Sequence, residues 1–441
     1  MSTVGSAMAN PANRDITSAR EVSFPSMKII FVNRFYAPDH SATSQLLTDL
    51  AVALAAGGLH VHVVTSRLRY DDPEAALPPS EVIDGVTVHR VRTTRFGRGH
   101  LLGRACDYLS FYFAASAALY RLTRAGDIVV AKTDPPLISV PAGWIARLRG
   151  ASQVNWLQDL FPEVALELGI DAGKGAWSGL LARLRDRSLK SASRNVVLGR
   201  AMRDRLTARS IDPASIAVIP NWADGDALHP IAAAANALHA EWGLRDKFVV
   251  GYSGNMGRAH EFQTILDAAV ALRARSEVVF VFIGGGAHEA TVSVAAATAE
   301  SNIVRKPYQP RAVLAECLSA ADVHLVSLRP RLEGLIVPSK FYGIAAVGRP
   351  TLFIGDPEGE LGETILSAEC GLVVREGDVA GLVGAIETLM RDTELRAKMG
   401  RNARRVFEER YDKAIAVATW RRLLADVAKE SGQRGRDVKS A

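Results

Sequence analysis

The order in which apolar runs alternate with amphipathic segments constrains this chain more than any other feature. From Met27, KIIFVN reads as a buried strand, RFYAPDHSATSQ as a polar loop, LLTDLAVALAAGG as an amphipathic helix closed by glycines, and HVHVVTS as a second strand. A strand, helix, strand unit of this kind implies a parallel pair joined by a right-handed crossover. Short apolar runs at 127–132 (DIVVAK), 152–159 (SQVNWLQD), 195–199 (NVVLG) and 216–222 (IAVIPNW) extend the same sheet. The pattern then restarts with KFVVGYSGN (247–255), a helix over 261–274, VVFVFIGGG (278–286) and a helix near 288–299. NIVRKPY (302–308), a helix over 311–321 and DVHLVSL (322–328) continue it. The predicted class is therefore α/β: two Rossmann-like parallel-sheet halves facing a cleft between their strand C-terminal ends.

The expected boundaries are a disordered tail over 1–26, an N-terminal half over 27–225, a C-terminal half over 226–410, and a helix with a charged, frayed tail over 411–441. Turn residues cluster in NWADGDALHP (221–230), which marks the join, and helical periodicity runs through 406–430. At 441 residues the chain exceeds one ordinary core, and 48% hydrophobic with 23% charged residues describes a globular enzyme. Cys106, Cys317 and Cys370 are scattered, which fits reduced cytosolic thiols and no metal-ligand spacing. The net charge of +6 suits an anionic ligand or a membrane surface, and no nucleic-acid motif accompanies it. Residues 1–26 lack the apolar core of a signal peptide, so they read as a tail or as sequence ahead of a start at Met27. The nearest candidate for a membrane span, Leu101 to Tyr120, carries Arg104 and Asp107 within it.

A dinucleotide oxidoreductase should show G-x-G-x-x-G after its first strand, where this chain reads NRFYAPD. Glycines stand instead after strands of the second half. Gly254, Asn255 and Gly257 lie between a strand and a helix, where free N–H groups bind anions, and Arg258 adds charge for a diphosphate. A tight turn with a surface arginine is the simpler alternative, and close backbone packing explains Gly284 to Gly286 as well as a ligand does. In VPSKFYGIAAVGRP, Pro338 turns the chain, Ser339 is a good N-cap, and a small-residue helix follows. Lys340 then falls in the first turn, at the positive end of the macrodipole, an arrangement that costs a few tenths of a kcal/mol unless an anion is bound.

These segments carry a resemblance. YAPDHSATSQLLTDLAVALAAGG, WLQDLFPE (156–163), IPNWAD (219–224), YSGNMGRAHEFQTILDA (252–268), FVFIGGG and VPSKFYGIAAVGRP occur in the order found in GT-B glycosyltransferases of family 4, the group 1 glycosyltransferases. The chain from Met27 to about Trp420 resembles their bacterial exopolysaccharide and O-antigen branch, similar to colanic acid and N-acetylfucosamine transferases. The resemblance implies transfer of a hexosyl or N-acetylhexosaminyl group from a nucleotide-diphosphate sugar, with retention and with no tightly bound cofactor or metal. The donor then lies on the C-terminal half, held by Gly254, Asn255, Gly257, Arg258, Tyr308, Ser339 and Lys340, and the acceptor on the N-terminal half.

The chain also departs from that family. Many members carry two glutamates eight positions apart, the first on the donor sugar and the second on the ribose. Counting from Gly348 places them here on Leu335 and Gly343. Glu333 replaces the first if the loop shifts, or else stabilises the loop, and Glu360 and Glu363 are alternative ribose acceptors. The arginine and lysine that relatives hold after the first C-domain strand align with Asn255 and His260. Asp159 falls near the reacting centre, with Gln158 where relatives place histidine. It orients or deprotonates the acceptor hydroxyl, contacts the donor sugar, or simply caps a loop. Asp39 and His40 face the same cleft as acceptor ligands, or form a turn capped by Ser41 or Thr43. Arg92, Arg95, Arg98 and Arg104 beside Tyr108, Phe111, Tyr112 and Phe113 suit the cytoplasmic face of the inner membrane and a polyprenyl-diphosphate-linked acceptor. A nucleotide-sugar-binding protein without transfer, or a sugar-nucleotide epimerase, are the rival readings.

Overall fold

The structure is a computed structural model that describes residues 27–440 except 71, 73, 98–100, 170–175 and 299. The tail expected over 1–26 and Arg98 lie outside the described residues. The N-terminal half runs β1 (Lys28–Val32), α1 (Ala42–Ala56), β2 (His60–Ser66), β3 (Ser80–Ile83), β4 (Val86–Val91), α2 (Leu101–Leu122), β5 (Ile128–Lys132) and α3 (Ser139–Leu148). It continues with β6 (Ser152–Trp156), α4 (Glu163–Glu167), α5 (Ala176–Ser191), β7 (Arg194–Val197), α6 (Arg200–Thr207) and β8 (Ile216–Val218). Its sheet has the order β3-β4-β2-β1-β5-β6-β7-β8. Every pairing is parallel except the β3–β4 hairpin at one edge, which turns through Asp84 and Gly85, both at positive φ.

The C-terminal half runs α7 (Ala237–Glu241), β9 (Phe248–Ser253), α8 (Gln263–Ala271), β10 (Val278–Ile283), α9 (Glu289–Ala296), β11 (Ile303–Lys306) and α10 (Leu314–Ser319). Then come β12 (Val323–Ser327), α11 (Lys340–Ala346), β13 (Thr351–Ile354), α12 (Glu360–Ser367), β14 (Gly371–Val374), α13 (Val379–Arg391) and α14 (Thr393–Arg410). The six strands are all parallel, in the order β11-β10-β9-β12-β13-β14. Central strands such as β1 and β10 are buried along nearly their whole length, because helices cover both faces of a parallel sheet. In both halves the loops that follow the C-terminal strand ends carry the polar segments singled out from the sequence.

The two halves share an apolar cluster that includes Leu160, Leu198 and Met202 from the first and Leu332, Leu335 and Phe341 from the second. The helix expected over 406–430 is two helices. Lys413–Ser440 forms α15, separated from α14 at Tyr411 and Asp412, where Ala223 N–H donates to Tyr411 O (3.1 Å) and Lys413 N–H to Ala223 O (2.9 Å). That crossing returns α15 to the N-terminal half, where Trp420 meets the Trp156 ring edge-on at 4.9 Å and Trp156 stacks on Trp222 at 5.8 Å. The helix also continues to Ser440, past the point at which a frayed tail was expected. The strand expected over 152–159 ends at Trp156, which leaves Asp159 in the following loop.

Candidate active site

Three loops of the C-terminal half converge. Gly254, with φ +117°, leaves β9, and any Cβ there would lie 3.2 Å from Lys340 Cε. Gly284, with φ +120°, leaves β10, and a Cβ there would stand 2.5 Å from Gly254 O. These positions are glycine because backbone and lysine stem approach too closely for a side chain. The N–H groups are only partly free, contrary to the expectation from sequence: Gly254 N–H donates to Ile283 O (2.9 Å) and Met256 N–H to Gly285 O (2.8 Å). Among the described residues no partner takes the N–H of Asn255 or of Gly257. Tyr252 donates its hydroxyl to Asn255 O (3.0 Å), which pins the loop from below. Tyr308, 60% exposed, lies beside Gly284 and Gly285 with its hydroxyl on Gly285 O at 3.3 Å.

Lys340 is the first residue of α11. Ser339 occupies the N-cap position but makes no side-chain cap, and α11 spans only two turns, so the dipole argument from sequence is the lesser part of the setting. The larger part is a hydrogen-bonded chain. Ser327 O lies 2.5 Å from His260 Nδ1, which fixes the proton there and leaves the Nε2 lone pair to accept from Lys340 Nζ at 2.9 Å. Burial, and then the Lys340 charge, push His260 down to about 3, so it remains a neutral acceptor. Burial pushes Lys340 down to about 7. Its amine lies 5.1 Å from the centre of the Tyr252 ring, and no carboxylate pairs with it among the described residues. Nearby, among the described residues, Arg258 is exposed without an ion pair, and Arg329 Nε and His288 Nε2 are closed off from solvent without partners. Burial, then Arg329 and also Arg258, hold His288 below its usual range despite Glu261. The corner thus brings the Lys340 amine and two arginines, of which Arg258 is exposed, beside two imidazoles held below their usual range.

Asp159 stands on a loop of the N-terminal half, with its carboxyl beside Thr133 and Asp134. Its loop pairs directly with the segment that leads to Lys340: Leu160 N–H donates to Leu335 O (2.9 Å), and Asp159 and Ile336 form an isolated antiparallel bridge. Asp159 Oδ1 is closed off from solvent and lacks a partner. Burial, then the charge of Asp134, push its carboxyl up to about 7, with a hydrogen bond from Thr133 acting the other way. A carboxyl and an amine that both titrate near neutrality thus hang on two stitched loops.

The other carboxylates tie the halves together. Glu333 Oε1 accepts from Glu360 N–H at the start of α12 (2.8 Å), and its second oxygen faces Gly359. Glu360 Oε2 accepts from Ala201 N–H in the first turn of α6 (3.0 Å), and Glu363 pairs with Arg200. Each of the three is engaged in capping or bridging, Glu333 in the loop-stabilising role that was its alternative reading. The two positions where relatives carry glutamate are apolar surroundings here. Leu335 is buried in the shared cluster, and a Cβ at Gly343 would meet Leu318 at 3.2 Å and Leu228 at 3.7 Å.

The acceptor candidates are also engaged. Asp39 is buried, with Oδ1 accepting from the N–H (2.8 Å) and hydroxyl of Ser41 and Oδ2 from Tyr70 N–H. It organises the loop before α1, and Ser41 at the N-cap of α1 makes no side-chain cap. His40 is exposed, and its carbonyl accepts from Gln45 Nε2 at 2.6 Å. Sequence reasoning missed His260 as the partner of Lys340, Ser327 behind it, and Arg329. The signal for His260 was the resemblance, which sets it where relatives hold a lysine, and its actual partner Lys340 lies 80 positions on in sequence.

Two family models match the chain, the glycosyl transferase 4-like domain over residues 43–222 and the glycosyl transferases group 1 over residues 235–406. The chain is 29% identical over 358 residues to the probable glycosyltransferase WbjE of Pseudomonas aeruginosa, covering 80% of this chain and 88% of that one. It is 26% identical over 350 residues to the putative colanic acid biosynthesis glycosyl transferase WcaI of Escherichia coli (strain K12), covering 76% and 85%. Among solved structures it is similar to Anabaena Alr3699/HepE in complex with UDP and glucose, with a TM-score of 0.67 at 15% identity, covering 91% of this chain and 100% of that one. The match of one model to each half, on two parallel-sheet domains, places the chain in the group 1 glycosyltransferases with the GT-B fold.

Proposed function

We propose that the protein transfers a hexosyl or N-acetylhexosaminyl group, with retention, from a nucleotide-diphosphate sugar to a glycan acceptor in assembly of a cell-surface polysaccharide. The observation that carries this is Lys340: a desolvated amine, aimed by His260 and facing a glycine loop, with no anionic partner in the described chain. A diphosphate over Gly254 to Gly257 meets Lys340, Arg258 and the exposed hydroxyl-bearing Ser339, with Arg329 and His288 behind. The unpartnered N–H groups of Asn255 and Gly257 offer it two further donors. Charge that develops on the leaving diphosphate is neutralised by these groups, which makes them the electrostatic catalyst without a resident metal. Tyr308 presents an open aromatic face beside the same glycines and suits a nucleobase.

Asp159, on the acceptor-half loop whose backbone pairs with the segment leading to Lys340, is proposed to take the proton of the attacking hydroxyl, while Glu333 positions that segment. Asp39 shapes the entrance on the acceptor half, with His40 exposed beside it. The relative named for colanic acid biosynthesis supports a role in polysaccharide assembly, and the acceptor we propose is a lipid-linked polyprenyl diphosphate met at the cytoplasmic face of the inner membrane. No helix of the described residues is long and apolar enough to cross a membrane. Incubation of purified protein with a panel of nucleotide sugars and membrane extract tests the function. Transfer of label from one donor into lipid-extractable material is expected, with UDP-sugars first because HepE was solved with UDP. Donor binding without turnover across the panel overturns the enzyme, and interconversion of a donor without membranes identifies an epimerase instead.

A further inference from the structure

We propose that the outer face formed by α2, α3 and α5 is a docking surface for an anionic lipid bilayer. The inference deepens the lipid-linked acceptor reading and rests on it for its purpose.

A surface helix ordinarily turns apolar residues inward and polar ones outward. Helix α2 is apolar on both sides. Phe111, Ala115 and Leu119 are buried against the sheet, while Leu102, Cys106, Leu109, Phe113, Ala117 and Tyr120 form an exposed stripe at steps of three or four residues. Leu102 is 83% exposed and Phe113 76%. Helix α3 lies alongside and adds Trp144 at 77% and Leu148 at 70%, one turn apart. Helix α5 lies alongside α3 and adds Trp177 at 67%, with Leu180 and Leu184. Elsewhere the large exposed apolar residues, such as Val82, Val270, Val294 and Leu366, stand singly on separate elements. Scattered residues of that kind are ordinary, but a contiguous set on three neighbouring helices is not.

Charge decides the occupant. The exposed charged residues described on these helices are Arg121, Arg147, Arg183, Arg187 and Lys190, all basic. The acids on the same helices are withdrawn, Asp107 into the core and Asp186 into ion pairs with Arg185 and Arg209. A second copy docked through this face would set basic residues against basic residues, which is repulsive, whereas an anionic headgroup layer complements them. Exposed aromatic and leucine side chains sharing three helices with exposed arginine and lysine are the composition of a surface that lies in the interface plane with its apolar side chains in the acyl boundary.

Sedimentation of the full chain with vesicles tests the surface, using phosphatidylcholine alone against equal parts phosphatidylcholine and phosphatidylglycerol. The protein is expected to partition onto the anionic vesicles and to be released by salt. The triple variant F113E/W144E/W177E is expected to lose on the order of tenfold or more of that partition. Its far-ultraviolet circular dichroism and UDP binding should be unchanged, which shows that it folds. Wild-type protein left in the supernatant with both vesicles overturns the inference, as does a triple variant that sediments like the wild type. A wild-type dimer that the same substitutions make monomeric also overturns it, assigning the face to a second copy. Vesicle binding that persists while no donor is turned over leaves the surface standing and removes only the transferase reading.

Discussion

Replacing Lys340 with alanine is expected to weaken nucleoside diphosphate binding by about 1.5–3 kcal/mol, the range for a hydrogen bond to a charged group. The change removes the amine that His260 aims past Gly254. Lys340→Met, which keeps most of the stem, should cost nearly as much if charge rather than volume is responsible. The effect depends on pH in a defined direction. Lys340 is held at about 7 in the free protein by burial, and an anion favours its protonated form. Affinity is therefore greatest below about 7 and falls as pH rises above it, until the higher pKa of the bound state is passed. In Lys340→Met this slope should vanish. Isothermal titration of UDP against both variants reads the effect, and unchanged affinity would make the lysine a passive residue of α11.

Replacing Asp159 with asparagine is expected to lower kcat by about 10²–10⁴, the usual contribution of a positioned proton acceptor, while donor binding is preserved. The substitution is nearly isosteric, and the backbone ties through Leu160 and the Ile336 bridge do not involve the carboxylate. Burial and then Asp134 hold the Asp159 carboxyl at about 7, so its proton-accepting form grows as pH rises through that value. Lys340 acts in the opposite sense, protonated at low pH and lost as pH rises. Together they give a bell-shaped kcat/KM profile centred near neutrality, whose two midpoints belong to the pair of groups. Asp159→Asn should remove the acid limb and leave the alkaline one. A rate unaffected by the substitution would return Asp159 to the role of a loop residue.

Most of the fold was legible because parallel strands buried on both faces read as continuous apolar runs, as in KIIFV and VVFVFI. The edge hairpin β3–β4 did not stand out, since its strands alternate between exposed and buried residues beside a polar stretch. The break between α14 and α15 was invisible for a different reason. Helical periodicity runs through Tyr411 and Asp412, and the interruption comes from Ala223, nearly two hundred positions earlier. The site divides in the same way. Gly254 and Lys340 were legible because a strand-end glycine and a lysine without a carboxylate each break a local rule. His260 was not, since a buried neutral histidine is recognised by Ser327 on one side and Lys340 on the other, neither adjacent in sequence. The roles of Glu333, Glu360 and Asp39 were decided by which backbone N–H groups the tertiary fold brought to them.

The central claim is that Lys340 is a depressed amine awaiting a diphosphate, and proton uptake on ligand binding tests it most directly. Calorimetry of UDP binding in two buffers of different ionisation enthalpy, at a pH about one unit above the Lys340 midpoint, counts the protons. Uptake approaching one proton by the wild type and none by Lys340→Met is the expected result. Binding of UDP by the wild type with no proton taken up would contradict it.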